Sequence, residues 1–111
     1  MGDASDLGPA VEIEDNRELV HLSGELDAGT VPRRLRESEN WFEDGEETII
    51  DLSGVTRADS AGVALLLEWV RDAQQNNASL SFVNAPAQMR AIIDFCALND
   101  VIRLRKMKHA V

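Results

Sequence analysis

A strand-like segment, a short polar loop and an apolar helix follow one another in the middle of this chain, and no other part of it restricts the fold as strongly. Residues Thr48 to Ser53 combine β-branched and apolar side chains, as central strands do. The tetrapeptide Asp59-Ser60-Ala61-Gly62 leads into an apolar run, Val63 to Val70, with helical spacing. This unit predicts a sheet strand followed at once by a helix that covers it.

The flanking segments extend this unit to an α/β domain. Before the central strand we predict a hairpin over residues 11–24, with a turn at Asp15-Asn16, and a helix that is capped by Asp27 or Thr30 and ends near Glu39. After the central helix we predict a strand at Ser79–Asn84, a helix after Pro86 and a last strand at Asp100–Leu104. The order β-β-α-β-α-β-α-β predicts a single mixed, mostly parallel β-sheet of about five strands covered by helices. With 111 residues, of which 44% are hydrophobic, we expect one domain at residues 8–104 and flexible termini at 1–7 and 105–111.

The charge is strongly negative and unevenly distributed. All 20 acidic residues precede residue 101 and four of the 11 basic residues follow residue 102, so residues 1–102 carry −13 and residues 103–111 carry +4. An acidic body repels the phosphates of nucleic acids and of anionic lipids, so we expect no nucleic-acid partner and no direct membrane contact. The basic tail is either a solubilising C-terminus or a contact with an acidic partner or a membrane surface.

Cysteine content and hydropathy indicate a compartment. Cys96 is the only cysteine, which excludes an intramolecular disulfide and a zinc site built on several thiolates. We expect Cys96 and Met89 to pack in the core. The N-terminus lacks the features of a secretory signal, and no apolar run reaches membrane-spanning length, so the prediction is a cytoplasmic protein.

Ser60 is the candidate functional residue, because it lies at the start of the central helix. Backbone N–H groups of a first helical turn have no intrahelical acceptor, so the position favours a phosphate on Ser60 or an acidic group of a partner. The alternative is that Ser60, or equally Asp59, is a plain helix N-cap.

Catalytic and cofactor chemistry has no support in the sequence. His21 lies on a predicted strand and His109 in the tail, so neither is placed as a base for Ser60. Neither a phosphate-binding loop nor a dinucleotide fingerprint occurs, and Asp51 with Asp59 is too small a set for a metal ion. We expect Asp51 to be solvated or capping, and we predict no enzyme activity, no catalytic residue, no metal and no cofactor.

The helix after Ser60 carries more apolar surface than one sheet contact requires. Its core face is accompanied by a second apolar stripe of Ala61, Leu65 and Trp69, spaced by four. This stripe either packs under a neighbouring helix or forms an exposed patch beside Ser60, which on a small domain indicates a partner.

Three motifs resemble those of the STAS domain family, which includes anti-sigma-factor antagonists. They are Leu22-Ser23-Gly24-Glu25-Leu26-Asp27, Ile49-Ile50-Asp51-Leu52-Ser53-Gly54-Val55 and Asp59-Ser60-Ala61-Gly62. The resemblance covers about residues 10–104 and implies the STAS fold. It also implies that Ser60 is a candidate phosphoacceptor, because the serine of Asp-Ser-x-Gly is phosphorylated by a partner kinase in sigma-factor switches.

The segment Ala61 to Trp69 is similar to the small STAS subunit of Mla-type ABC transporters, which move phospholipid between bacterial membranes. That resemblance implies a non-enzymatic module that binds the cytoplasmic ATPase subunit and reaches the inner membrane only through the complex. The implied partner-binding residues are Asp59, Ser60, Ala61, Gly62, Leu65, Glu68 and Trp69. The alternative is an anti-sigma-factor antagonist, whose partners are an anti-sigma factor and its serine kinase.

Overall fold

The computed structural model describes residues 9–14 and 17–105. They form five strands and three helices: β1 (Ala10–Glu14), β2 (Arg17–Leu26), α1 (Val31–Glu37), β3 (Glu47–Ala58), α2 (Ser60–Gln75), β4 (Ser79–Val83), α3 (Ala87–Phe95) and β5 (Leu104–Arg105). The predicted order of elements is confirmed. The predicted turn at Asp15-Asn16 and the predicted flexible termini, apart from Arg105, lie outside the described residues.

The strands form one sheet in the order β1-β2-β3-β4-β5. The β1–β2 pair is antiparallel, and each of the next three pairs is parallel. Each parallel pair is joined by a helix, and α2 packs against both α1 and α3, so the three helices share one face of the sheet. The core follows from strand alternation, because Val20, Leu22, Ile50, Leu52 and Phe82 point to that face and are buried. The predicted mixed sheet is confirmed.

Strand β2 continues past its predicted end at Gly24. Its pairing with β3 shifts register next to Gly24, whose φ of +87° suits glycine, so the strand bends there and runs on to Leu26. The buried Arg34 of α1 donates a hydrogen bond to the carbonyl oxygen of Ser23 at this bend.

The last strand begins later than predicted. Residues 99–101 form a turn and residue 102 a bend, and within the described residues β5 consists of Leu104 and Arg105. Arg105, assigned from the sequence to the tail, pairs with Val83 of β4. Within the described residues, the helices are too short or too polar to cross a membrane.

Trp69 anchors α2 to the end of α1. Its side chain is fully buried at 0% exposure, its Nε1 donates to Ser38 Oγ over 2.8 Å, and its ring lies 5.3 Å from that of Trp41. Helix α1 ends at Glu37, two residues before the predicted end, and Ser38 is its C-cap. Leu35, three residues before Ser38, is 36% exposed. The indole N–H therefore finds its acceptor at the end of a helix.

Helix α3 buries only one side. Met89 and Ile93 are fully buried, as the spacing predicts for Met89. Cys96 caps the helix and is exposed, so its predicted place in the core is wrong. The helix ends at Phe95, so Cys96 lies one residue beyond the last helical position.

A polar chain crosses the sheet on the face opposite the core. His21 Nδ1 lies 2.9 Å from Asp51 Oδ2, and His21 Nε2 lies 3.1 Å from Glu12 Oε2. Asp51 Oδ1 accepts hydrogen bonds from Asn84 Nδ2 and from the Ser53 backbone N–H, both at 3.0 Å. Asp51 is only 8% exposed, which corrects the expectation that it is solvated or capping.

The hydrogen bonds of this polar chain shift the pKa values of His21 and Asp51 in opposite directions. Hydrogen bonds to Glu12 and then Asp51 raise the pKa of His21, because a protonated imidazole donates to both carboxylates. Burial opposes ionisation of Asp51, but hydrogen bonds from Asn84, Ser53 and His21 outweigh it and hold its pKa at about 2. At neutral pH the Asp51 carboxylate is therefore ionised.

The pH dependence of stability follows from these shifts. The raised pKa of His21 stabilises the fold fully below pH about 6.5, and this contribution is lost as pH rises through the folded-state value. The lowered pKa of Asp51 stabilises the fold above pH about 4, and this contribution is lost as pH falls towards about 2. Urea unfolding from pH 5 to 9, followed by tryptophan fluorescence, should show stability falling at the alkaline end, and His21→Gln should remove that part of the slope. Equal slopes for the two proteins would contradict the role of His21.

Removal of the Ser38 hydroxyl should destabilise the fold. Ser38→Ala leaves the buried Trp69 N–H without its acceptor, which costs about 1–3 kcal/mol of the free energy of unfolding. Ser79→Ala is the matched control, because Ser79 is exposed and its substitution should stay within about 0.5 kcal/mol. Urea unfolding curves measure both values, and indistinguishable curves for the two variants would show that the Ser38–Trp69 bond does not stabilise the fold.

Candidate functional site

The loop between β3 and α2 is organised by Asp59. Asp59 has extended backbone geometry, and its Oδ1 accepts hydrogen bonds from the backbone N–H groups of Ala61 at 2.9 Å and Gly62 at 3.2 Å. This is the N-cap arrangement that satisfies the free donors of a first helical turn. Of the two capping assignments left open by the sequence, Asp59 is therefore the cap.

Ser60 is the first residue of α2, and its side chain is exposed. Within the described part of the chain, its hydroxyl makes no hydrogen bond. Two N–H groups that would stabilise a phosphate are already bonded to Asp59, which corrects the expectation of an open anion site at the helix start. The Ser60 hydroxyl is thus available for contact or modification, and the structure does not need it for capping.

Gly62 holds this loop against the end of β2. A Cβ atom on Gly62 would lie 2.4 Å from the Leu26 carbonyl oxygen, a distance that no side chain tolerates without a shift of the backbone. The same carbonyl accepts the Asp59 N–H at 3.3 Å. The requirement for glycine therefore comes from a close approach of two backbones, which fixes the position of Ser60 above the sheet.

The turn between β2 and α1 lies next to this loop. Asp27 Oδ1 accepts from the backbone N–H groups of Gly29 at 2.9 Å and Thr30 at 3.1 Å. Thr30 occupies the N-cap position of α1, but its hydroxyl donates to the Glu25 carbonyl oxygen at 2.9 Å and does not cap the helix. Desolvation opposes ionisation of Asp27, yet hydrogen bonds from Thr30 and Gly29 and the charge of Arg57 lower its pKa. The Asp27 carboxylate is therefore ionised at neutral pH, and its hydrogen bonds order the turn.

The predicted partner-binding residues separate into two groups. Ser60 and Glu68 are exposed, Asp59 and Ala61 are half-buried, and Gly62 is buried against Leu26. Leu65 and Trp69 are buried, with 1% and 0% exposure.

Of the two alternatives for the Ala61-Leu65-Trp69 stripe, the exposed patch is therefore excluded for Leu65 and Trp69. Trp69 packs under a neighbouring helix, because its indole N–H donates to Ser38 at the end of α1. The solvent-facing stripe of α2 is instead Ser60, Ala64 and Glu68, all exposed and spaced by four. Ala64 was not predicted as part of this surface, although its spacing of four residues from Ser60 was a signal.

The geometry around Ser60 offers no catalytic arrangement among the described residues. His21 is bonded to Glu12 and Asp51 and makes no hydrogen bond to Ser60. In residues 9–14 and 17–105, no three His, Cys, Asp or Glu side chains are grouped to hold a metal ion. A cavity of about 310 Å³ lies elsewhere, between α2, β4 and the α3–β5 connection, and is lined by Val70, Ala73, Gln74, Ala78, Ser79, Leu80, Asp100, Val101 and Arg103. The arrangement at Ser60 is suited to surface contact.

Solved structures with this fold include several anti-sigma factor antagonists. A putative one from Thermotoga maritima has a TM-score of 0.77 at 12% identity, over 92% of this chain and 88% of that chain. One from Mycobacterium paratuberculosis has a TM-score of 0.73 at 25% identity, over 86% and 82%. Unphosphorylated SpoIIAA, an anti-sigma factor antagonist, has a TM-score of 0.69 at 21% identity, over 92% and 90%.

A comparison with curated proteins finds no match. The family model described as "Mlab, STAS domain" matches residues 10–106. Because this match spans most of the chain and agrees with the fold, the protein belongs to the STAS domain family, in its MlaB-like branch.

Proposed function

We propose that this protein is a non-enzymatic accessory subunit that binds the cytoplasmic ATPase of an ABC transporter for phospholipid trafficking. In this proposal it is cytoplasmic and lies at the inner membrane only through the complex. The docking surface is the loop Asp59–Gly62 with the exposed stripe of α2. The match to the MlaB-like family model supports this partner class.

The observation that carries the proposal is an exposed Ser60 on a rigid support, whose hydroxyl is not hydrogen-bonded to any described residue. Asp59 performs the capping, and Gly62 fixes the loop to β2, so neither task requires Ser60. Among the described residues, neither a base nor a group of metal-ligating side chains lies beside Ser60. An exposed polar residue held in one position by its neighbours in this way serves recognition better than chemistry. Binding sites built on rigid elements need little ordering when the partner arrives.

A negative charge at Ser60 should weaken docking. Ser60→Glu places a carboxylate beside Asp59 at the centre of the surface, and we expect the dissociation constant for the purified ATPase subunit to rise at least tenfold. The fold should be unaffected because Ser60 is exposed. Isothermal titration calorimetry measures the binding, and the ATPase rate of the complex gives a second readout.

Ser79→Glu is the matched control for charge, because Ser79 is an exposed serine at the start of β4, the opposite end of the strands from this loop. It should bind like the unaltered protein. If Ser60→Glu and Ser79→Glu bind equally well, the Ser60-centred docking surface is wrong.

The second candidate function is an anti-sigma-factor antagonist controlled by phosphorylation of Ser60. It is favoured by the solved structures, which include SpoIIAA in both its unphosphorylated and its phosphorylated form. A phosphate on Ser60 would add about −1.5 to −2 charges beside Asp59, whose carboxylate already occupies two helix N–H groups. Phosphorylation would then act by repelling the partner.

Intact-mass analysis of the protein from its own host distinguishes the two candidates. The phosphoswitch predicts a mass increase of one phosphate that disappears in Ser60→Ala, together with co-purification of a serine kinase. The transporter role predicts co-purification of the ATPase subunit without that modification. A protein that is never phosphorylated under any growth condition would remove the second candidate.

A further inference from the structure

Phe95 is the most exposed large apolar side chain of the described residues, at 91% exposure. It occupies the last position of α3, whose backbone is in regular helical geometry. An exposed phenyl ring loses the stabilisation that burying roughly 150–250 Å² of surface would give. The stability of the fold therefore does not explain why a phenylalanine occupies this position.

Phe95 completes an outward-facing stripe. Ala87, Ala91 and Phe95 are spaced by four along α3, and all three are exposed. The core side of the same helix is filled by Met89 and Ile93, which are fully buried. The outward stripe is therefore not needed for packing, and its two alanines allow another surface to approach the helix closely.

The stripe lies beside the proposed docking surface. Helix α3 follows β4 as α2 follows β3, so both helices begin at the carboxyl edge of the parallel strands, and they pack against each other. Ala87 thus starts at the same end of the domain as Ser60. Phe95, eight residues later, lies about 12 Å further along the helix axis.

The net charge of the protein distinguishes between the partners that could cover the stripe. The chain carries a net charge of −9, so a second copy and an anionic lipid surface are both repelled. The exposed charges that flank the stripe are Arg90 and Asp94, of opposite sign. A neutral stripe on an acidic protein fits a protein partner whose contact surface is apolar at its centre and neutral or basic around it.

Size argues for one partner over both helices. A stable specific interface buries about 1,200–2,000 Å² in total, which a single phenyl ring and two alanines do not supply. The exposed stripe of Ser60, Ala64 and Glu68 lies on the neighbouring helix α2. A partner that contacts both stripes would therefore bury more surface than one that contacts α3 alone.

We infer that the Ala87-Ala91-Phe95 stripe of α3 is the apolar half of the docking surface, with Phe95 inserted into an apolar pocket of the same protein partner that contacts Ser60. The inference rests on the proposed function for the identity of that partner. It assigns to Phe95 the aromatic anchor role that the sequence suggested for Trp69.

The test uses the purified ATPase subunit of the host's phospholipid-transport complex as the probe. Phe95→Ala should raise its dissociation constant at least tenfold, as for a central aromatic anchor, and Phe95→Leu should recover part of the loss. Ile13→Ala is the matched control, because Ile13 is 72% exposed but lies on β1, at the far edge of the sheet, and binding should be unchanged. Urea unfolding should show all three variants folded.

The outcomes separate this inference from the proposed function. If Ser60→Glu weakens binding and Phe95→Ala does not, the α3 stripe is not part of the interface, although the proposed function stands. If the unaltered protein does not bind the ATPase, the proposed function fails and this inference fails with it. If size-exclusion chromatography with light scattering shows a dimer that Phe95→Ala converts to a monomer, the occupant is a second copy and the inference is overturned.

Discussion

The approach of the first turn of α2 to the end of β2 determines where the candidate site lies. The Leu26 carbonyl oxygen accepts the Asp59 N–H, and the absence of a side chain on Gly62 lets the helix start directly above it. Asp59 then caps the helix with its carboxylate. Because these three backbone positions are held together, Ser60 is presented at a fixed point of the surface and has no structural task of its own.

The same helix shows why an apolar stripe does not by itself identify an interface. Trp69 has the size and spacing of a partner-binding anchor, but the end of α1 covers it and Ser38 satisfies its N–H. No described residue covers Phe95 in this way, and its helix already fills its core side with Met89 and Ile93. Whether an aromatic side chain serves the core or a partner depends on the element that lies beside it.

Most of the fold was predictable from the sequence, and less of the site. The hairpin, the central strand and the apolar run from Val63 to Val70 are local patterns, and they identified the elements and their order. The errors arise at long-range contacts. Asp51 was expected at the surface, but His21 and Asn84, 30 and 33 residues away in the sequence, enclose it in a polar chain.

The sequence by itself determined the α/β class, the capped strand-to-helix unit around Ser60 and the lack of catalytic motifs, because these depend on side-chain periodicity and on residues close together in the chain. Only the tertiary structure decided which side chains are available to a partner. Exposure depends on packing between elements distant in sequence: α1 buries Trp69, Asp59 releases the Ser60 hydroxyl from capping, and Phe95 remains uncovered by any described residue.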